Sequence, residues 1–311
     1  MASPKRALVL GCGAVAGAAW SIPVLARLQQ ELSWDAREAD ILVGTSVGAV
    51  LAALLGSGVS VDRMFAVQRG DATDCRWNHD TDSGGALPPW PAPRFPALKL
   101  AWRGLRGELS PLTALAGLLP AGRTSMTGFE RLISGLTTGD AWVDHPKTWL
   151  IAVDAANGQR CAFGRGDAPR ARLTQAVCAS YAVPGCCPPV TVAGRTFIDG
   201  GVVSPTSADM VRDQDLDEVI VLAPFASTHT DRPRSPLCRI ERRVRKLMTA
   251  IVDREIAELR QAGLRVVRLE PGPEDLQAIG YNMLDPARRL LVFETAQRTA
   301  GQTVSRALRL S

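Results

Sequence analysis

Histidine is scarce in this sequence. His79, His145 and His229 are the only 3 in 311 residues, so any chemistry that needs an imidazole must pass through one of them. There are 7 cysteines but no CxxC pair, and Cys186 and Cys187 are adjacent, a spacing that suits neither a zinc knuckle nor an ordinary disulfide. No metal site is expected from them, and an odd count without a framework favours a reducing compartment. No apolar run is long enough to span a bilayer. Lys5-Arg6 precede an apolar stretch, but Ala7 to Leu10 is too short for the core of a secretory signal. The expected location is therefore cytoplasmic, with peripheral contact at a membrane left open. Excess charge is slight, a formal +5 with a pI of about 9.0. It suits an anionic surface or substrate, and no interleaving of aromatic and basic residues marks a nucleic-acid module. Internal repeats and low-complexity tails are absent too, and the sequence says nothing about oligomeric state.

What is present is the composition of a globular domain. Hydrophobic residues make up 46% and charged residues 22%, which excludes global disorder. The length suits one large α/β domain spanning 1–311. Arg6–Leu10 reads as a short buried strand, Gly11–Gly17 as a small-residue turn, and Ala18–Leu32 as a helix carrying Trp20, Val24, Leu25 and Leu28. Ile41–Val43 is a second strand, followed by the turn Gly44–Gly48 and the apolar helix Ala49–Leu55. Strand–helix–strand–helix is the signature of a parallel sheet with helices on its faces.

From about Cys75 to Arg123 the pattern breaks. Pro88, Pro89, Pro91, Pro93, Pro96, Pro111 and Pro120 are interspersed with Trp77, Trp90, Phe95 and Trp102. This excursion holds two short helices, near Leu98–Arg106 and Leu112–Leu119, and reads equally well as a lid or as a tolerated insertion. With Lys99, Arg103 and Arg106 nearby, Trp90, Phe95 and Trp102 suit either a membrane-docking patch or lid, or a satellite core. Regular structure then returns. Strands are predicted at Thr148–Asp154, Thr196–Ile198, Glu218–Leu222 and Leu264–Leu269, and helices at Leu173–Ser180, Leu237–Ala262 and Pro286–Leu308. Arg239, Arg242, Arg243, Arg245 and Lys246 form a basic face on the second of these helices, expected to be solvated.

Three segments carry chemistry. Gly44-Thr45-Ser46-Val47-Gly48 lies between a strand and a helix, the context of a nucleophile elbow, in which small neighbours let a sharp turn expose the serine. Gly11-Cys12-Gly13-Ala14-Val15-Ala16-Gly17 is another strand-to-helix turn, whose free N–H groups suit an oxyanion. It also satisfies G-x-G-x-x-G/A, but the second strand ends in Gly44-Thr45-Ser46 rather than in the acidic residue a ribose would need, which ranks a dinucleotide-binding oxidoreductase low. Third, Phe197-Ile198-Asp199-Gly200-Gly201 puts a carboxylate at the end of an apolar strand, where the expectation is the carboxyl edge of a parallel sheet, beside Ser46. Taken alone, Asp199-Gly200 would be an ordinary turn dipeptide.

In this order and spacing, the three segments resemble the patatin-like phospholipase family. So does the approach to the last, Ala179-Ser180-Tyr181-Ala182-Val183-Pro184 through Pro188-Pro189, which is similar to the family's AS-x-x-x-P-x-x-x-P-P segment. The resemblance is clear over Ala7 to about Gly58 and Leu173 to Pro205, loose over the C-terminal third and absent across the excursion. It implies a three-layer α/β/α fold with a mainly parallel sheet, and a serine lipid acyl hydrolase that cleaves carboxylic esters of a phospholipid or lysophospholipid without a cofactor. It implies Ser46 as nucleophile, Asp199 as its base with no histidine between them, and the N–H groups of Gly13 and Ala14 as the oxyanion hole. Gly11, Cys12, Gly17, Gly44, Gly48, Gly200 and Gly201 support these. The sequence departs from the family at Cys12 and Ala14, where glycines are usual, and at Ala16, where a basic residue often stands. That departure keeps a catalytically weak binding or regulatory protein in view. A Ser46–Asp199–His229 triad is the weaker catalytic alternative, since an α/β-hydrolase elbow follows several strands and this one follows the second. His79 and His145 are expected to be surface residues.

Overall fold

A computed structural model describes residues 4–72, 77–79, 81–82, 85–138 and 141–311; the start of the proline-rich excursion at Cys75 lies outside the described residues. Strand β1 (Arg6–Leu10) leads into α1 (Ala14–Leu32), and β2 (Ile41–Thr45) into α2 (Val47–Gly56) and α3 (Val61–Arg69). The excursion forms α4 (Leu98–Leu105) and α5 (Pro111–Ala116), and α6 (Thr127–Ser134) follows. Next come β3 (Thr148–Asp154), β4 (Arg160–Phe163), α7 (Leu173–Ser180), β5 (Val190–Val192) and β6 (Arg195–Asp199). The chain closes with β7 (Glu218–Leu222), α8 (Pro236–Gln261), β8 (Arg265–Leu269), α9 (Pro273–Ile279) and α10 (Arg289–Leu310).

Every residue of β2, β3 and β7 is buried, as expected of strands covered on both faces. Alternate side chains feed two cores. Leu8, Leu10, Leu42, Leu150, Ile220 and Leu222 join Trp20, Leu25, Leu51, Val177 and Phe293 from α1, α2, α7 and α10. Ala7, Val9, Val43, Ile151, Val219 and Val221 join Val252, Ile256 and Leu259 from α8. A sheet with helical layers on opposite faces, and a core on each, is the three-layer α/β/α arrangement.

The sheet runs β5-β6-β3-β2-β1-β7-β8, with β4 also paired to β3. Pairs β2–β1, β1–β7, β7–β8 and β2–β3 are parallel, and β3–β4, β3–β6 and β5–β6 are antiparallel. Leu150 and Ile151 pair with both β2 and β4, while Ala152 and Val153 pair with both β4 and β6. Since a residue has one neighbour on each side, β2 and β6 lie end to end along the same edge of β3. β2 arrives at Ile151 from one direction and β6 at Ala152 from the other. This corrects the expectation that Asp199 ends a strand parallel to the one before Ser46: the two carboxyl ends meet head-on inside the sheet.

The elbow between β2 and α2 needs its glycines for close approach. A Cβ on Gly48 would overlap the Leu10 carbonyl of β1, and one on Gly44 would overlap the backbone of Gly48. Several predicted boundaries shift. The first helix starts at Ala14 rather than Ala18, and the last helix begins at Arg289, after a 3₁₀ turn at Pro286–Arg288. Helix α3 is absent from the sequence reading although its caps are standard: the Ser60 hydroxyl accepts the Arg63 N–H and Gly70 ends it with φ 87°. Gly48→Ala is expected to lower stability by about 3 kcal/mol, because the clashing atom is backbone and cannot rotate away; a chemical-denaturation midpoint unchanged from wild type would contradict this packing.

Candidate functional site

Ser46 is the one residue between β2 and α2. Its φ of 58° and ψ of −122° lie in a region that side chains other than glycine rarely adopt. The turn puts its hydroxyl at the positive end of α2. The Ser46 N–H donates to the Ser180 hydroxyl at 2.9 Å, and that hydroxyl donates to the Ile151 carbonyl at 2.6 Å. Ser180 is fully buried, so it ties the elbow to the point on β3 where β2 gives way to β6.

Asp199 ends β6, only 4% exposed. Its Oδ1 accepts the Gly201 N–H at 2.6 Å, and its Oδ2 is buried without a partner. Burial pushes the carboxyl up to about 7; the nearby Ser46 hydroxyl and the Gly201 N–H pull it partly back. The hydroxyl is thus close enough to act on the carboxyl, without a hydrogen bond of ordinary geometry between them. A Cβ on Gly201 would meet both Asp199 Oδ1 and the Cys12 sulfur, which draws the Gly11–Gly17 segment against the other two.

That segment is pinned by its backbone. The Gly11 N–H donates to the Leu222 carbonyl at 2.9 Å, Cys12 to Pro205 at 2.7 Å, and Ala16 to Met283 at 3.0 Å. Ala14 adopts φ 48°, a left-handed conformation that costs a residue with a Cβ, whereas Cys12 has no positive φ. The N–H groups of Gly13 and Ala14 have no partner among the described residues and stand at the N-terminus of α1. The Cys12 thiol is buried and raised well above its ordinary value by burial, so it is held as a neutral thiol.

Cys12, Gly13, Ala14, Ser46, Asp199 and Gly201 line one cavity of about 370 Å³. Gly11, Gly17, Gly44, Gly48 and Gly200 stand behind it as packing positions. The remaining walls are mostly apolar: Leu112, Leu115, Ala116 and Leu119 from the excursion, Val183-Pro184, Phe225, Met248, and Tyr281 to Leu284. An apolar cavity with few converging polar groups is the usual form of a small-molecule site. A second apolar cavity of about 260 Å³, between α1, α2, α3 and α6, holds neither Ser46 nor Asp199.

No histidine lines the Ser46 cavity among the described residues. His229, offered by the triad alternative, sits instead among Arg306, Glu270, Asp275 and Arg268, where burial lowers its pKa. His79 and His145 are not loose surface residues: their ring nitrogens bond the carbonyls of Val67 and Ala39 at 3.1 and 2.6 Å. The basic face of α8 is also broken. Arg245 is 2% exposed, because it shares a stripe with Glu241, Met248 and Val252 that turns inward. It pairs with Glu241 at 2.7 Å and donates to the Pro224 carbonyl at 2.7 Å, under the ring of Phe225. Pro224 packs on Gly13, so this ion pair braces the loop from behind. Sequence reasoning missed Arg245; its spacing of four from Glu241 was the available signal. It also gave Ser180 no role.

Among the described residues no group of side chains could hold a metal ion, and no helix is long and apolar enough to cross a membrane. A family model described as patatin-like phospholipase matches residues 8–212, running straight through the excursion and stopping short of the C-terminal third. Among solved structures, VipD from Legionella pneumophila is similar, with 12% identity and a TM-score of 0.47 over 98% of this chain and 67% of that one. No curated protein matches.

Two outcomes test this geometry. Ser180→Ala removes two buried bonds at once and is expected to cost about 1–3 kcal/mol; a variant as stable as wild type would show that the elbow does not depend on it. Because the folded pKa of Asp199 is raised, its ionisation costs stability as pH rises from the ordinary 3.8 through about 7. Asp199→Asn should therefore gain stability relative to wild type across that window, and parallel stability curves for the two proteins would refute the burial argument.

Proposed function

The chain belongs to the patatin-like phospholipase family, whose activity is lipid acyl hydrolysis, and from that premise we propose that it cleaves carboxylic esters of phospholipids or lysophospholipids through a Ser46–Asp199 dyad. The observation that carries this reading is the Asp199 carboxyl, whose Oδ2 is buried and unpartnered and whose pKa feels the Ser46 hydroxyl. A buried carboxylate oxygen without a donor is costly, and a proton in transit from serine is the partner it lacks.

In this reading the Ser46 hydroxyl attacks the acyl carbonyl and its proton passes to Asp199 Oδ2. A carboxyl near 7 is a far better base than an ordinary aspartate and is still ionised at neutral pH in a substantial fraction of molecules. Oδ1 stays fixed by the Gly201 N–H, which leaves Oδ2 as the oxygen free to take the proton. The oxyanion accepts from the N–H groups of Gly13 and Ala14 at the positive end of α1. Collapse expels the alcohol, which takes the proton from Asp199. Water then attacks the acyl-enzyme with Asp199 again as base, releasing the fatty acid and regenerating Ser46. The apolar walls from α5 and Tyr281–Leu284 suit an acyl chain and keep bulk water from the charge that develops.

Labelling with a fluorophosphonate, read by intact mass, tests the nucleophile. Wild type should gain one adduct, Ser46→Ala none, and Asp199→Asn should label about a hundredfold or more slowly. A folded wild type that takes no label would overturn the hydrolase reading. Since the base must be ionised, kcat/KM on a soluble ester should rise with pH and level off above about 7. A rate already flat from pH 5 upward would remove Asp199 from the role.

A further inference from the structure

Helix α4 is apolar on the wrong side as well as the right one. Ala97 and Leu100 are buried against Val153 and Ile198, the strand residues beside Asp199. Yet Leu98, Trp102 and Leu105 recur at spacings of four and three, which places them on one helical face, and that face is open to solvent. Trp102 is 60% and Leu105 83% exposed. A surface helix ordinarily keeps its outward face polar. Contiguous exposed apolar surface of this kind marks an interaction site.

This surface continues into the cavity. Leu115 and Leu119 are exposed on the outside of the molecule and also line the space that holds Ser46. Across the mouth, Tyr281 does the same. The platform is fixed rather than draped. Gly104 and Gly117 let α4 and α5 cross closely, since a Cβ on either would overlap the other helix. Arg103 donates to the Asn157 carbonyl at 2.6 Å, and the Thr113 hydroxyl to the Val202 carbonyl at 3.0 Å, three residues past Asp199.

Charge selects the occupant. Between Gly85 and Arg123 the chain carries Arg94, Lys99, Arg103, Arg106 and Arg123 against a single acid, Glu108, which is already paired with Arg103 at 2.6 Å. The Arg106 guanidinium lies 5.3 Å over the Trp102 ring, so one cation is held beside the apolar face. Apolar anchors on a segment with exposed cations, one of them stacked on a tryptophan, match a bilayer interface with anionic headgroups. A second copy of the chain would set basic against basic, which disfavours self-association through this face.

We propose that the α4–α5 hairpin is a docking surface for anionic lipid bilayers, holding the mouth of the Ser46 cavity against the membrane so that a lipid passes from leaflet to site beside Leu115 and Leu119. The purpose of the docking rests on the hydrolase reading, whereas its measurement does not. Binding is read by flotation with phosphatidylcholine vesicles with and without phosphatidylglycerol, alongside turnover of a soluble short-chain ester. Wild type should bind the anionic vesicles, bind the neutral ones weakly, and lose affinity as salt is added. Trp102→Glu/Leu105→Glu removes the apolar anchors and Lys99→Glu/Arg106→Glu the charges. Each pair should cut vesicle affinity by about tenfold or more while soluble-ester turnover stays within about twofold. Unchanged binding in both variants, no binding by wild type, or a dimer in solution that the same substitutions break would each overturn the proposal. Vesicle binding without turnover would leave the docking standing and remove the hydrolase; turnover without vesicle binding would do the reverse.

Discussion

The structure turns on two strands that meet end to end. β2 and β6 share one edge of β3, and each leaves the sheet where the other would have continued. Neither chain can go straight on, so both must turn sharply, Ser46 with φ 58° and Asp199 into the 3₁₀ turn at Gly200–Val202. The break leaves the Ile151 carbonyl to a side chain, the Ser180 hydroxyl, which in turn receives the Ser46 N–H. A strain of roughly 1–3 kcal/mol at such a residue persists only where its surroundings over-determine it. Here the surroundings are the glycine contacts with β1 and the buried Ser180 bridge.

The same break explains the acidity of the site. A carboxyl at a sheet's outer edge would be solvated, and one with two or three donors would be held low. Asp199 has neither, being enclosed by the end of β2, the Cys12 sulfur and the Gly200–Gly201 turn, with one backbone donor on Oδ1. Its pKa rises because burial outweighs that single bond and the nearby hydroxyl. Glu255, buried on α8, has a pKa raised by burial too, but its oxygens are occupied by the hydroxyls of Ser204 and Thr206 and by the Ala208 N–H. The difference between a structural acid and a candidate base is thus the unpartnered oxygen, not the pKa.

Much of this was legible in the sequence, for identifiable reasons. Continuous apolar runs, the mark of strands covered on both faces, gave Thr148–Asp154 and Glu218–Leu222 at their observed limits. Glycine spacing around Ser46 gave the elbow, because the sharp turn presses Gly44 on the backbone of Gly48 and Gly48 on the Leu10 carbonyl of β1. The direction of β6 was not legible: a five-residue strand reads the same either way, and its partner is set by contacts with β3 more than forty residues earlier. β4 and β5 were too short to register. The inward turn of Arg245 was hidden by neighbours of like charge, because a run of arginines reads as a face until the phase of the helix is fixed by Met248 and Val252.

The departures at Cys12, Ala14 and Ala16 look different once the loop is seen whole. Cys12 has no positive φ, so a Cβ there costs no backbone strain, and its sulfur fills space against Gly201. Ala16 is buried with its N–H on the Met283 carbonyl, in a position where a long basic side chain would have to displace core. Only Ala14 is strained, and the bonds on either side leave it little freedom: Cys12 to Pro205, Ala16 to Met283, and Pro224 pressed on Gly13 by Arg245 and its partner Glu241. A loop built of glycines reaches such a shape because its residues permit it. This loop is held there by neighbours, which shifts the burden of presenting two free N–H groups from local flexibility to a buried ion pair on a distant helix.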